Sequence, residues 1–305
     1  MLSDRDRLAS LKPNLALRSR ILSTLRGELG RLGLMEVETP VRLGVPALEA
    51  HIDAEPSGAG YLRTSPELHM KRLLAAGYDG IFQLGPCFRQ GEKGGRHHPE
   101  FTMLEWYRLH ADYRVILDDT RKLLGAVGEL LPEGSPVRAL LEAEWQILSV
   151  SEAFRGAAGW DPAEAWDADR FDLDLVERVE PSLPVDVPVV LIDYPAPAAA
   201  LSRRKPEAPG LAERWELYLG GVEIANAYSE LTDPVEQRAR FAQAASERAA
   251  RGKVVYPLDE PFLEALEAGL PPCAGIALGV DRLVMICCGA TGLDEVLAFR
   301  EDLPG

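Results

Sequence analysis

No run of 18 apolar residues occurs in this 305-residue chain, so no membrane-spanning helix is expected. The first ten residues are charged and lack an apolar run, so no secretory leader is expected and the cytoplasm is the expected address. Cysteine is scarce. Cys87, Cys273, Cys287 and Cys288 form no CxxC pair and have no Cys/His spacing that suits zinc. Reduced, structural thiols are therefore expected, not a disulfide framework. Positive charge is also short: 33 Lys and Arg stand against 48 Asp and Glu, a net charge of −15. Residues 1–110 are nearly balanced, with 15 basic and 13 acidic residues, whereas residues 111–305 carry 18 and 35. A wide polyanion-binding surface needs clustered cations to displace counterions, so no large nucleic-acid interface is expected. A small basic site for a compact anion stays open.

With 47% hydrophobic and 27% charged residues, the chain can bury one large core, or a core with a minor lobe. Leu15, Leu22, Leu25, Leu29 and Leu32 recur at helical spacing and predict a helix over 15–33, stopped by Gly33. Residues 37–40 read as extended, 46–60 as a loop or irregular hairpin, and Ser65-Pro66 as the opening of a helix. Residues 81–90 and 100–109 read as two strands around the glycine-rich turn 91–96, a long hairpin with a flexible tip. Helices are predicted over 113–131 and 234–251 and from Asp281 onward, with strands over 187–192 and 276–278. Residues 132–170 mix helix and loop, and 196–210, with the basic trio Arg203-Arg204-Lys205, reads as a mobile loop. Residues 215–219 and 222–229 flank Gly220-Gly221 as a second hairpin. Strands joined mainly by hairpins predict an α+β fold, an antiparallel sheet flanked by helices.

Three groups of residues suggest chemistry. Arg89 and Arg96 flank the glycine-rich tip, and guanidinium forks suit phosphate oxygens, although a basic turn is also a common solvated feature. Glu216, Glu223 and Glu230 straddle the Gly220-Gly221 turn. With a two-residue loop Tyr218 pairs with Glu223, and Glu216 lies diagonal to it on the same face. Two close carboxylates repel unless a cation such as Mg2+ sits between them; the alternative is a solvated acidic edge. Asn226, Tyr228 and Glu230 share a strand face out of phase with Glu223. For all to line one pocket, the strand must bulge between Glu223 and Asn226. Finally, Gly275 to Arg282 reads as a small-residue strand running into an apolar helix, open to a flat ligand, with an arginine on the first turn.

Read together, these segments resemble a class II aminoacyl-tRNA synthetase core. The resemblance rests on Thr64-Ser65-Pro66-Glu67, Phe88-Arg89, the run from Arg96 to Tyr107, and Gly279-Val280-Asp281-Arg282, in that order. Residues 33–40 resemble the family's first motif, which implies a homodimer. Residues 221–226 and 230–233 are similar to its lysine-specific branch. The resemblance spans residues 11–300 and implies a single catalytic domain over 1–305. The core begins so early that no anticodon-reading barrel is expected ahead of residue 15. The chain thus resembles the free-standing elongation factor P lysyltransferase family, as do Trp106 and Ala277, the latter at a position where tRNA-charging enzymes have glycine. It departs from the pattern at Gly91, where an acid is usual and Glu92 is the nearest one, and at His98, where asparagine is usual.

The resemblance implies ATP and Mg2+, lysine or β-lysine as substrate, and elongation factor P as protein substrate. It places the ATP at Arg89, Gln90, Gly91, Glu92, Arg96, His97, His98, Phe101, Glu216, Glu223, Ile224, Gly279 and Arg282. Arg89, Glu223 and Arg282 are implied as catalytic, and Glu216 and Glu223 as Mg2+ ligands. Ser65, Pro66, Glu67, Glu105, Tyr107, Asn226, Tyr228, Glu230 and Ala277 are implied to line the amino-acid pocket. An acceptor other than elongation factor P, and a non-catalytic relative, are the competing expectations.

Overall fold

The computed structural model describes residues 3–300; residues 1–2 and 301–305 of the expected 1–305 domain lie outside the described residues. In chain order they form α1 (Asp4–Arg31), β1 (Met35–Glu36), β2 (Arg42–Leu43), β3 (Pro56–Ser57), β4 (Gly60–Leu62), α2 (Glu67–Ala75), β5 (Gly80–Phe88) and β6 (Glu100–Leu109). Next come α3 (Tyr113–Gly128), α4 (Pro136–Glu142), β7 (Gln146–Ser149), α5 (Val150–Ala157), α6 (Ala168–Asp174), a π-helical turn over Leu175–Val179, and α7 (Glu180–Ser182). Then follow β8 (Val189–Pro195), β9 (Arg204–Lys205), β10 (Ala208–Leu219), β11 (Val222–Ser229), α8 (Pro234–Ala250), α9 (Glu260–Gly269), β12 (Cys273–Gly279) and α10 (Val280–Cys287). The chain divides into two compact units. The first holds the chain up to Leu109, Thr232–Pro271 and everything from Gly279; the second holds His110–Leu231 and Pro272–Leu278.

In the first unit α1 starts well before the predicted boundary. Ser3 caps it by accepting from the Asp6 amide, Asp4 and Asp6 sit in its first turn, and it runs through Pro13. It ends at Gly33, whose φ of 81° an L side chain rarely adopts. Ile21, Leu25 and Leu29 form its buried stripe. β1 pairs in parallel with β5, and β5 pairs antiparallel with β6 without a break, from Gly80 opposite Arg108 to Phe88 opposite Glu100. The predicted irregular 46–60 stretch contributes to a small sheet in the order β2-β4-β3. Helix α9 escaped the sequence reading; Asp259 caps it and Pro261 opens it, and Phe262 packs toward Phe241 of α8 with ring centroids 6.1 Å apart.

In the second unit the strand order is β12-β11-β10-β8-β7, with β9 beside β10. All neighbours are antiparallel except β7 and β8, which run parallel and are joined through the helices between them. Val150, Phe154, Phe171, Val179, Leu191 and Tyr194 bury together under these helices, Phe154 and Phe171 stacked at 4.8 Å. The predicted mobile loop over 196–210 is wrong. Lys205 pairs with Asp193 at 2.7 Å and Arg203 with Glu213 at 2.8 Å, so the basic trio anchors a short strand against β10. The α+β expectation holds: antiparallel sheet flanked by helices. Among the described residues no helix is long and apolar enough to cross a membrane.

Candidate active site

The site residues of the first unit hang on the β5–β6 ladder and on α2 and α10. Period-two alternation puts Met103, Glu105 and Tyr107 on one face of β6. Glu105 is 1% exposed. Ser65 donates to its Oε1 at 2.7 Å and Tyr107 to its Oε2 at 2.8 Å. The Ser65 hydroxyl also accepts from the Glu67 amide at 2.9 Å, at the start of α2, with Pro66 at the cap position. Glu67 is held by the buried Lys71 at 2.6 Å. Burial, and then the negative charge of Glu67, push the Glu105 carboxyl up to about 7. The structure thus brings Ser65, Pro66, Glu67, Glu105 and Tyr107 together.

The arginine tip is likewise assembled. Arg89 lies over the Phe101 ring at 5.2 Å, is 3.9 Å from Glu92, and has a buried Nε with no partner among the described residues. Arg89, Gln90 and the tip itself lie beyond the strand ends, so β5 is shorter than predicted. Gly91 sits at φ 78°, which accounts for glycine where an acid was expected, since a side chain there is strained. His98 turns its Nδ1 back to the Glu100 backbone, within 2.7 Å of its carbonyl oxygen. The tip is not loose. Arg282, on the first turn of α10 after Gly279, donates to the Arg96 carbonyl at 3.3 Å and hydrogen-bonds His97 Nε2. Leu293 donates its amide to Gly95, and Arg300 reaches the Gly94 and His97 carbonyls. Burial, and then the Arg282 charge, hold His97 below the usual histidine range.

Two residues missed in the sequence fix this half. Asp281, 3% exposed, accepts from the Thr102 amide at 2.8 Å and pairs with Arg18 at 2.6 Å, tying α10, β6 and α1 together next to Phe101 and Arg282. Arg248 is fully buried. It donates to the Glu49, Ile52 and Val254 carbonyls and to Asp53 at 2.6 Å, and the Asp53 carbonyl in turn takes the Gln90 amide at 2.8 Å. Apart from Val254, the partners of Arg248 lie about two hundred residues away in sequence and leave no local pattern to find.

In the second unit the predicted bulge is present. Tyr218 pairs with Glu223 and Leu217 with Ala225, so Ile224 is the extra residue of β11. The phase change puts Glu216, opposite Asn226, on one face with Tyr218, Glu223 and Tyr228. Ala277 of β12 stands opposite Asn226 and Gly275 opposite Tyr228. Glu230 lies just past the end of β11; it is 1% exposed, and its amide bonds the Cys273 carbonyl.

Glu216 takes three donors: Tyr194 at 2.6 Å, Tyr218 at 2.8 Å, and Arg214 at 2.6 Å. Arg214 also donates to the Ala198 carbonyl and to Asn226 Oδ1, which turns the Asn226 amide group to Tyr228 OH at 3.0 Å. Its guanidinium lies over the Tyr194 ring at 4.3 Å. Burial and the charge of Glu216 hold both tyrosines well above the usual range. Arg214, Tyr194 and Tyr218 were not singled out, although Arg214, Glu216 and Tyr218 alternate on one strand face and that period was the available signal. Among the described residues no group of three or more His, Cys, Asp or Glu could hold a metal. Glu216 and Glu223 still fit a Mg2+ carried mainly by phosphate oxygens, because Glu216 uses three of roughly four lone-pair sites and Glu223 shares its face. None of the four cysteines forms a disulfide; burial pushes Cys87 and Cys287 up to about 12, which makes them poor nucleophiles.

Comparison with known proteins gives the family. Residues 4–302 match the family of class II tRNA synthetases (D, K and N), and the chain belongs to that family. It is an ATP-dependent amino-acid ligase of the class II type. Its similarity extends to the elongation factor P–(R)-β-lysine ligase of Salmonella gallinarum, 39% identical with 95% of each chain covered. The enzyme of the same name from Klebsiella pneumoniae subsp. pneumoniae is also 39% identical, again over 95% of each chain.

Proposed function

We propose that this protein activates lysine or β-lysine with ATP and passes the aminoacyl group to a lysine side chain of elongation factor P. The relatives' names support the acceptor, and their full-length similarity supports one shared reaction. The observation that carries the proposal is the Ile224 bulge, which gathers two carboxylates, Asn226 and Tyr228 on one strand face. A cationic amino acid and a metal-bound polyphosphate both need such carboxylates.

In the first step a carboxylate oxygen of the amino acid attacks the α-phosphorus of ATP. The bond to the bridging oxygen breaks, and pyrophosphate leaves. Positioning and charge neutralisation supply most of the rate. Arg89 holds the α-phosphate and the carboxylate, Phe101 stacks on adenine, and Arg282, with Arg96 and His97, holds the γ-phosphate. Mg2+, when bound by Glu216 and Glu223, neutralises phosphate charge. Ser65, Glu67, Glu105, Tyr107, Asn226, Tyr228 and Glu230 receive the amino acid. In the second step the acceptor lysine, stripped of one proton, attacks the adenylate carbonyl, and AMP leaves.

Arg282→Ala tests the ATP assignment. It is expected to lower amino-acid-dependent ATP–pyrophosphate exchange about 10²–10³-fold, the usual cost of one preorganised transition-state donor. Exchange within twofold of wild type would remove Arg282 from the phosphate site.

A further inference from the structure

An enzyme that modifies a protein must also hold that protein, and one surface of the second unit is suited to it. Residues 161–186 carry nine Asp and Glu against two arginines. Arg170 and Arg178, about half exposed, share the buried Asp174 at 3.3 and 3.0 Å, and nine acids less two arginines leave the segment a net charge of −7. The acids left outside, Asp169, Asp172 and Glu177, are exposed. Leu173 and Val176, three residues apart on the same surface, are 55% and 58% exposed. They are not displaced core residues, because Phe171 and Val179 fill the inward face of this segment and are themselves buried.

The surface continues to the hairpin that carries Glu216 and Glu223. Val185, 63% exposed, lies against its turn; a Cβ added at Gly221 would be 3.5 Å from Val185 Cγ1. Tyr218 OH reaches Glu180 at 3.3 Å. Exposed apolar side chains beside a net excess of charge of one sign suit a recognition site. We propose that the Leu173–Val176 stripe and its acidic rim dock the acceptor protein, through a positively charged surface near the lysine that is modified. The assignment of an acidic surface to a basic partner follows from charge complementarity, and it rests on the function proposed above.

The test compares wild type with Leu173→Lys/Val176→Lys and with Asp169→Lys/Asp172→Lys. All four positions are exposed, so both variants are expected to fold. Lysine-dependent pyrophosphate exchange, which needs no acceptor, is expected to stay within about twofold in each. The KM for elongation factor P is expected to rise about tenfold or more for the apolar pair. For the acidic pair it is expected to rise less, and to lose the salt dependence seen in wild type. An unchanged KM for elongation factor P in both variants overturns the docking surface. So does a shift of self-association in sedimentation, which would assign the stripe to a second copy of the chain. Wild type that exchanges pyrophosphate but modifies no elongation factor P overturns the acceptor itself, and is recognised before any variant is made.

Discussion

Glu105 and Glu216 are two buried carboxylates in opposite electrical settings. Glu216, 7% exposed, has its compensation built in: Arg214 and two tyrosine hydroxyls take three of its roughly four lone-pair sites. Glu105, 1% exposed, takes the hydroxyls of Ser65 and Tyr107, and the charge that weighs on it most is another carboxylate, Glu67, opposed less strongly by Arg89. The first has its cation and hydroxyl donors supplied by the protein itself. The second has no ion-paired cation among the described residues and gains most when one arrives. A cationic amino acid is such a partner, and near neutral pH a carboxyl raised to about 7 is only partly charged until its partner binds.

Breaking the first pairing should have the largest effect. Arg214→Met leaves Glu216 buried without its cation, and a loss of about 3–5 kcal/mol in urea unfolding is expected. Adding Glu216→Gln removes the stranded charge and should recover most of that loss. A single variant as stable as wild type would show that the pair is not electrically coupled.

Glu105→Gln sharpens the other side. The KM for the amino acid is expected to rise about 10–100-fold, the weight of a charge-assisted hydrogen bond, with the KM for ATP within twofold. Equal effects on both would place Glu105 outside the amino-acid pocket. The pH dependence follows from the same shift. In the unliganded protein Glu105 keeps its proton between 4.5 and about 7, where the unfolded chain has lost it. Folding stability from this group is therefore present at the acid end and lost as pH rises through about 7. Substrate affinity should move the other way, improving as Glu105 ionises. Glu105→Gln should flatten both profiles; a wild-type KM that is level from pH 6 to 8 would contradict the assignment.

The smallest effect is expected at Ala277. It faces Asn226 across the β11–β12 ladder, so its methyl group adds bulk beside the proposed pocket. Ala277→Gly should shift the kcat/KM ratio toward α-lysine by about tenfold or less, the weight of one small apolar group. An unchanged ratio would refute the steric role.

The chemistry in this chain was legible wherever it was local. The bulge at Ile224 followed from asking which strand phase lets Glu223 and Asn226 share a face, and the Ser65–Glu105 grouping followed from motif order. The residues that escaped are those whose partners lie far away in sequence. Asp281 reaches Thr102, Arg248 reaches Asp53, and Lys205 reaches Asp193 across a loop that composition alone marked as mobile. Prolines and basic residues at 203–209 carry turn character, but ion pairs decided that segment. Arg214 was different: its alternation with Glu216 was visible, and only the habit of reading arginine as surface charge hid it.

The most direct measurement is amino-acid-dependent ATP–pyrophosphate exchange across α-lysine, β-lysine and ornithine, followed by mass spectrometry of elongation factor P incubated with the enzyme, ATP and the best of the three. Exchange with a lysine isomer, and a mass gain of one aminoacyl residue on a lysine of elongation factor P, is the predicted result. Exchange with none of the three, or an unmodified elongation factor P despite rapid exchange, would contradict it.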